Sequence, residues 1–183
     1  MNIVETTLPD ESILNIPDIN YDYVDSYQGW LKDKGNKHNA TDMGKAFFSN
    51  GPKWVESLFT FRNKVVSIFG LKTPEGKGDR QAQLANFKWE PGEQLGLFKV
   101  FDKTENELIL GEDDKHLDFR ISLLLSQDIN RADERRVTIS TTVIFNNWFG
   151  RLYFLPVRPF HKMIVPRMLN GVIRALEKDA KTE

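Results

Sequence analysis

His116-Leu117-Asp118-Phe119-Arg120-Ile121-Ser122-Leu123-Leu124-Leu125-Ser126 is the stretch that decides the fold. Leu117, Phe119, Ile121, Leu123 and Leu125 take every second position, and His116, Asp118, Arg120 and Ser122 lie between them. Successive side chains of a strand point to opposite faces, so this period of two predicts a strand with one apolar and one polar face. Residues 136–145 repeat the pattern, with Val137, Ile139, Val143 and Phe145 set against Thr138, Ser140 and Thr142. One face buried and one face wet is the pattern of an antiparallel sheet with a single core side.

Upstream, residues 95–103 and 107–112 read as two further strands. Thr104-Glu105-Asn106, Asp113-Asp114-Lys115 and residues 130–135 supply the turns. Short connections make sequential strands neighbours, so residues 95–145 predict a continuous antiparallel meander. Downstream, the aromatic stretch from Asn146 to His161 reads as a loop, and a helix is predicted from Pro159 to about residue 178. Phe160, Met163, Ile164, Met168, Val172 and Leu176 form its expected core stripe, and Pro166 predicts a kink or restart.

Nearer the start, residues 1–20 read as an arm broken by Pro9 and Pro17. Tyr21, Tyr23, Asp25 and Tyr27 alternate with Asp22, Val24 and Ser26, as in a first strand. Residues 32–39 predict a polar loop, and Thr41 or Asp42 caps a short helix through Phe48. Trp54, Leu58, Phe61 and Val65 predict an amphipathic helix ending near Phe69, followed by a loop over residues 73–80. Strands in succession with one closing helix give an α+β class: a curved antiparallel sheet around a long C-terminal helix. At 183 residues the chain is expected to be one domain, residues 1–183.

Composition removes several function classes. Lys plus Arg is 25 against 26 Asp plus Glu, so the basic surplus of a dedicated nucleic-acid binder is missing. With no cysteine, disulfides, thiolate metal sites and cysteine nucleophiles are excluded. No histidine pair has zinc-ligand spacing, and no metal or cofactor is expected. The N-terminus lacks the basic and apolar regions of a signal peptide, and charge breaks every apolar stretch before it could span a bilayer. A cytoplasmic protein without an integral membrane segment is the expectation.

Three segments carry a family resemblance: Gly96-Leu97-Phe98-Lys99-Val100, the run from Gly111 to Arg120, and Asn147-Trp148-Phe149-Gly150-Arg151-Leu152-Tyr153 through Pro159-Phe160-His161. With the order strand, short helices, meander, long helix, the chain resembles the helix-grip superfamily of START, polyketide-cyclase and birch-pollen-allergen-like proteins. Within it, the chain looks like a domain-of-unknown-function family also found fused behind short-chain-dehydrogenase-like NAD(P)-binding domains. The resemblance implies a helix-grip fold and a ligand-binding style, but no activity. The Gly-x-Gly-x-x-Gly fingerprint of the fusion partner is absent here.

Two clusters carry candidate chemistry. The aromatic stretch offers Trp148, Arg151, Tyr153 and His161, rings beside polar groups that suit a cavity mouth; its competing reading is a buried connector packing sheet onto helix. The charged row offers His116, Asp118 and Arg120, with His116 as acid or base and Arg120 holding an anion. Its competing reading is a solvent-facing strand with cross-strand ion pairs. The expected function is binding of a small hydrophobic or amphipathic molecule between sheet and terminal helix. Alternatives are a cyclase-, isomerase- or hydrolase-type enzyme in the same cavity, with His116 or His161 as proton shuttle, and an interaction partner of a dehydrogenase-like protein.

Overall fold

The computed structural model describes residues 2–49, 84 and 86–180. The helix expected over Trp54 to Phe69 and the loop over residues 73–80 lie outside them. In chain order the elements are β1 (Val4–Thr6), β2 (Tyr23–Lys32), α1 (Ala40–Ser49), β3 (Gln94–Leu95), β4 (Phe98–Lys103), β5 (Glu107–Asp113), β6 (Leu117–Gln127), β7 (Glu134–Phe145) and α2 (Trp148–Asp179). The α+β class is as expected. Among the described residues all strands pair antiparallel in one seven-stranded open sheet of order β1-β2-β7-β6-β5-β4-β3. The long C-terminal helix packs on one face of it, giving a helix-grip arrangement.

The deciding stretch forms β6, the centre of the meander. Ile121 stands opposite Leu110 on one side and Thr141 on the other. Ile121, Leu123 and Leu125 are buried on the inner face with Leu108, Leu110, Val137 and Ile139. Met43, Phe47 and Phe48 of α1 and Val165, Leu169, Val172, Ile173 and Leu176 of α2 close over them. A smaller apolar cluster lies under the first half of α2, where Phe154 meets the Tyr23 ring at 4.8 Å beside Val143.

The outer face is not wet throughout, as the alternation had suggested. Ser122, Leu124 and Ser126 are buried there. The N-terminal arm is the reason: Glu107 accepts from Ser12 Oγ at 2.6 Å, from the Ile13 amide at 2.8 Å and from Ser122 Oγ at 2.5 Å. Ser126 Oγ donates to Glu11 at 2.7 Å. The arm also supplies β1, so it belongs to the sheet at one edge and covers part of its outer face over β5 and β6.

Four local expectations need correction. The strand over residues 95–103 is two strands, because Gly96-Leu97 makes a two-residue hairpin with Leu95 opposite Phe98; Gly96, at φ +62°, takes the left-handed conformation such turns require. The cap of α1 is Asn39, not Thr41 or Asp42. Its Oδ1 accepts from the amides of Thr41 and Asp42 at 2.8 and 3.2 Å, and Asp42 returns the bond to the Asn39 amide.

The third and largest correction is the start of α2. The segment from Trp148 to His161 is helix, not loop, and Pro159 lies well inside it. Asn147 is the N-cap, with its side chain accepting from the Gly150 amide at 3.1 Å. The helix runs unbroken through Pro156, Pro159 and Pro166. Each proline leaves one carbonyl a turn earlier without its helical donor. The fourth is the core stripe: Phe160 and Met163 are exposed, while Val165, Leu169 and Ile173 are buried. This helix carries apolar residues on more than one side, so several stripes satisfy a 3.6-residue period and only the sheet's position selects among them.

Candidate functional site

On β2 the inner face reads Tyr23, Asp25, Tyr27, an acid between two aromatic residues. Asp25 therefore sits between the two apolar clusters, with Thr141 of β7 directly opposite it in register. Its carboxylate side chain is only 1% exposed. Oδ2 accepts from the Tyr23 hydroxyl at 2.7 Å and contacts His161 Nδ1 at 2.8 Å. Oδ1 has no hydrogen-bond partner among the described residues, and neither has the buried Thr141 Oγ1. Buried polar groups are paired in the great majority of cases; other unpaired atoms occur among the described residues, such as Trp89 Nε1 and Thr138 Oγ1, but Asp25 and Thr141 are in addition opposite each other in register.

His161 is delivered by α2, its side chain 19% exposed, and is the solvent-side edge of this cluster. With Nδ1 committed to Asp25, the ring orientation is fixed. The Tyr23 phenol is pushed far above its ordinary range, first by burial and then by its hydrogen bond to Asp25. Its hydroxyl donates to Asp25. Tyr27 is shifted the same way, by burial and then by the charge of Asp25. The Arg158 guanidinium lies 5.5 Å from the centre of the Tyr23 ring.

Of Trp148, Arg151, Tyr153 and His161, only His161 reaches this cluster. Trp148 opens the helix and is 73% exposed. Arg151 turns to Asp22 at 3.3 Å, and Tyr153 is half-buried. Trp148, Leu152, Leu155, Phe160 and Met163 leave an exposed apolar row along the first half of α2.

His116, Asp118 and Arg120 do not converge. His116 faces the Asn147 side chain and lies against the Phe149 ring at 4.7 Å. Asp118 accepts from the Asp114 amide and from Asn146 Nδ2 at 3.1 and 3.0 Å. Arg120 lies 3.4 Å above the Phe101 ring and bonds Asp113 at 2.6 Å. Each contacts the β5–β6 turn or the start of α2, and of the three only Arg120 forms an ion pair, with Asp113. Among the described residues no group of three histidines or acids is placed to hold a metal ion.

Hollows among the described residues lie elsewhere. One, of about 440 Å³, is bordered by Glu11, Ile13, Asn106 and Glu107 under the N-terminal arm. A second, of about 340 Å³, lies between Lys37, Asp42, Lys45 and Asp179. Neither touches Asp25 or His161.

Sequence reading passed over Asp25, Tyr23 and Thr141. One signal was available: an acid on the aromatic side of a strand is out of place unless something meets it. Fold and cluster together define an α+β helix-grip protein with a polar group set beneath its long helix. The chain belongs to the family described as protein of unknown function (DUF2867), which it matches over residues 19–168. Asp25, Thr141 and His161 all lie within that span; the arm residues Glu11, Ser12 and Ile13 do not. No curated protein and no solved structure matches the chain. Among the described residues no helix is long and apolar enough to cross a membrane.

Proposed function

We propose that this protein binds a small hydrophobic or amphipathic molecule between the inner face of the sheet and α2, with its polar end at Asp25, Thr141 and His161. The observation that carries the reading is that Asp25 Oδ1 and Thr141 Oγ1, on residues opposite each other in register, are both buried and without a hydrogen-bond partner among the described residues. Leaving them unmet costs about 1–3 kcal/mol apiece, which a polar guest would recover. Apolar clusters flank the pair on both sides, as an amphipathic guest requires. Two of the three prolines of α2, Pro156 and Pro159, fall in its first half and make it the easiest part to displace for entry. The resemblance to START, polyketide-cyclase and birch-pollen-allergen-like proteins supports the same placement. The test is saturable binding of Nile red to the folded protein, weakened by Thr141→Val although stability is not reduced. Unsaturable binding that ignores Thr141 would remove the reading.

Two further readings each have an observation behind them. The Asp25–His161 contact favours the enzyme reading, with His161 as the proton shuttle and Asp25 orienting it. The exposed apolar row on α2 favours an interaction surface for a dehydrogenase-like protein. Introducing a charge at Leu155 would abolish such an association while leaving Nile red binding intact.

A further inference from the structure

We infer that the polar end of the guest is a hydrogen-bond donor, a hydroxyl or amino group, and not a carboxylate or phosphate. This rests on the ligand-binding reading and sharpens it. The free atom of Asp25 is a carboxylate oxygen, which in its ionised form only accepts. Its other oxygen already serves Tyr23 and His161. Thr141, opposite Asp25 in register, carries an Oγ1 that can give one hydrogen bond and accept others. A hydroxyl completes both at once, donating to Asp25 Oδ1 and accepting from Thr141; an amino group can donate to both. An anionic head would instead bring its charge against the Asp25 carboxylate. Among the described residues no lysine or arginine forms an ion pair with Asp25 to offset that repulsion, and His161 meets the other carboxylate oxygen, Oδ2. Arg151 is engaged with Asp22, and Arg158 faces the Tyr23 ring. A site built to bond a particular group discriminates strongly against analogues lacking it, because its own buried atoms are then stranded.

The test is displacement of Nile red from the full chain at neutral pH by decanol, decylamine, decanoate and decyl methyl ether. The tail is constant and only the head changes. Decanol and decylamine should each bind at least about tenfold tighter than the ether, which cannot donate, and than decanoate. Asp25→Asn should relieve the discrimination against decanoate, and Thr141→Val should narrow the gap between decanol and the ether. The Thr141 variant is isosteric and keeps the test open if Asp25→Asn fails to fold. Decanoate or the ether binding as tightly as decanol would overturn the inference while leaving the ligand-binding reading standing. So would ratios unchanged in both variants. Absence of saturable Nile red binding would overturn the ligand-binding reading itself.

Discussion

Gly150→Ala separates the two possible starts of the long helix by the sign of its effect. If the helix began near Pro159, residue 150 would lie in a loop and a methyl group there would be tolerated. If residue 150 were an unobstructed helical position, alanine would stabilise by about 1 kcal/mol. In the structure the added Cβ would lie 2.1 Å from the His116 carbonyl oxygen and 2.9 Å from its carbonyl carbon. Attractive contacts between non-bonded heavy atoms fall near ~3.5 Å, and these obstacles are backbone, which cannot swing aside as a side chain would. Overpacking of this kind costs about 1–3 kcal/mol. Separating the two segments also strains the Asn146 amide bond to the same carbonyl, at 2.9 Å, which contributes about 1 kcal/mol. Subtracting the helical gain of alanine leaves a net loss of about 2 kcal/mol. Urea unfolding should show the midpoint lowered by roughly 1 M, since slopes for small proteins are about 1–3 kcal/mol per molar. Asn147→Ala, which removes the cap, should cost about 1 kcal/mol in the same assay. A Gly150→Ala midpoint at or above wild type would refute the seating of α2 on the β5–β6 turn.

Three further outcomes follow from the same geometry. Ile121→Ala should cost about 2–4 kcal/mol as a large-to-small core change, and Asp118→Ala only about 1 kcal/mol; equal urea midpoints would contradict the faces assigned to β6. Glu107→Ala strands the donors of Ser12, Ser122 and Ile13 and should cost about 3 kcal/mol or more, with limited proteolysis then cutting the arm near residues 9–16; an arm still resistant would contradict its anchoring. Tyr21, Tyr23 and Tyr27 are all raised, each chiefly by burial, so the unfolded chain loses these phenolic protons before the folded one does. Their contribution is therefore complete below about pH 10 and is lost as pH climbs beyond it, and Tyr23→Phe should flatten that alkaline decline in urea midpoint.

The sheet was legible because its centre obeys a strict period of two. Leu117 to Leu125 and Val137 to Phe145 alternate so regularly that face and neighbour followed from sequence alone. The helix start was harder. Asn147 is a sound cap by residue type, but three prolines downstream argue against helix, and only the tertiary seat on His116 overrides them. The outer face was misjudged because what covers it, the Ser12–Leu14 part of the arm, comes from a segment with no periodicity to announce it. The candidate site was half legible. His161 stood out as a histidine among aromatics. Its partner Asp25 lies 136 residues away and meets it only because β2 joins the sheet beside β7. His116, Asp118 and Arg120 were conspicuous by charge density, yet each is consumed by a local contact of the turn it stabilises.

The most direct test of the account is histidine nitrogen NMR of the folded protein during titration with decanol. The chain has three histidines, and only His161 lies at the proposed site. The account predicts that the His161 signal shifts saturably at one ligand per chain while His38 and His116 remain in place. A titration in which no histidine moves, or all three move together without saturation, would contradict it.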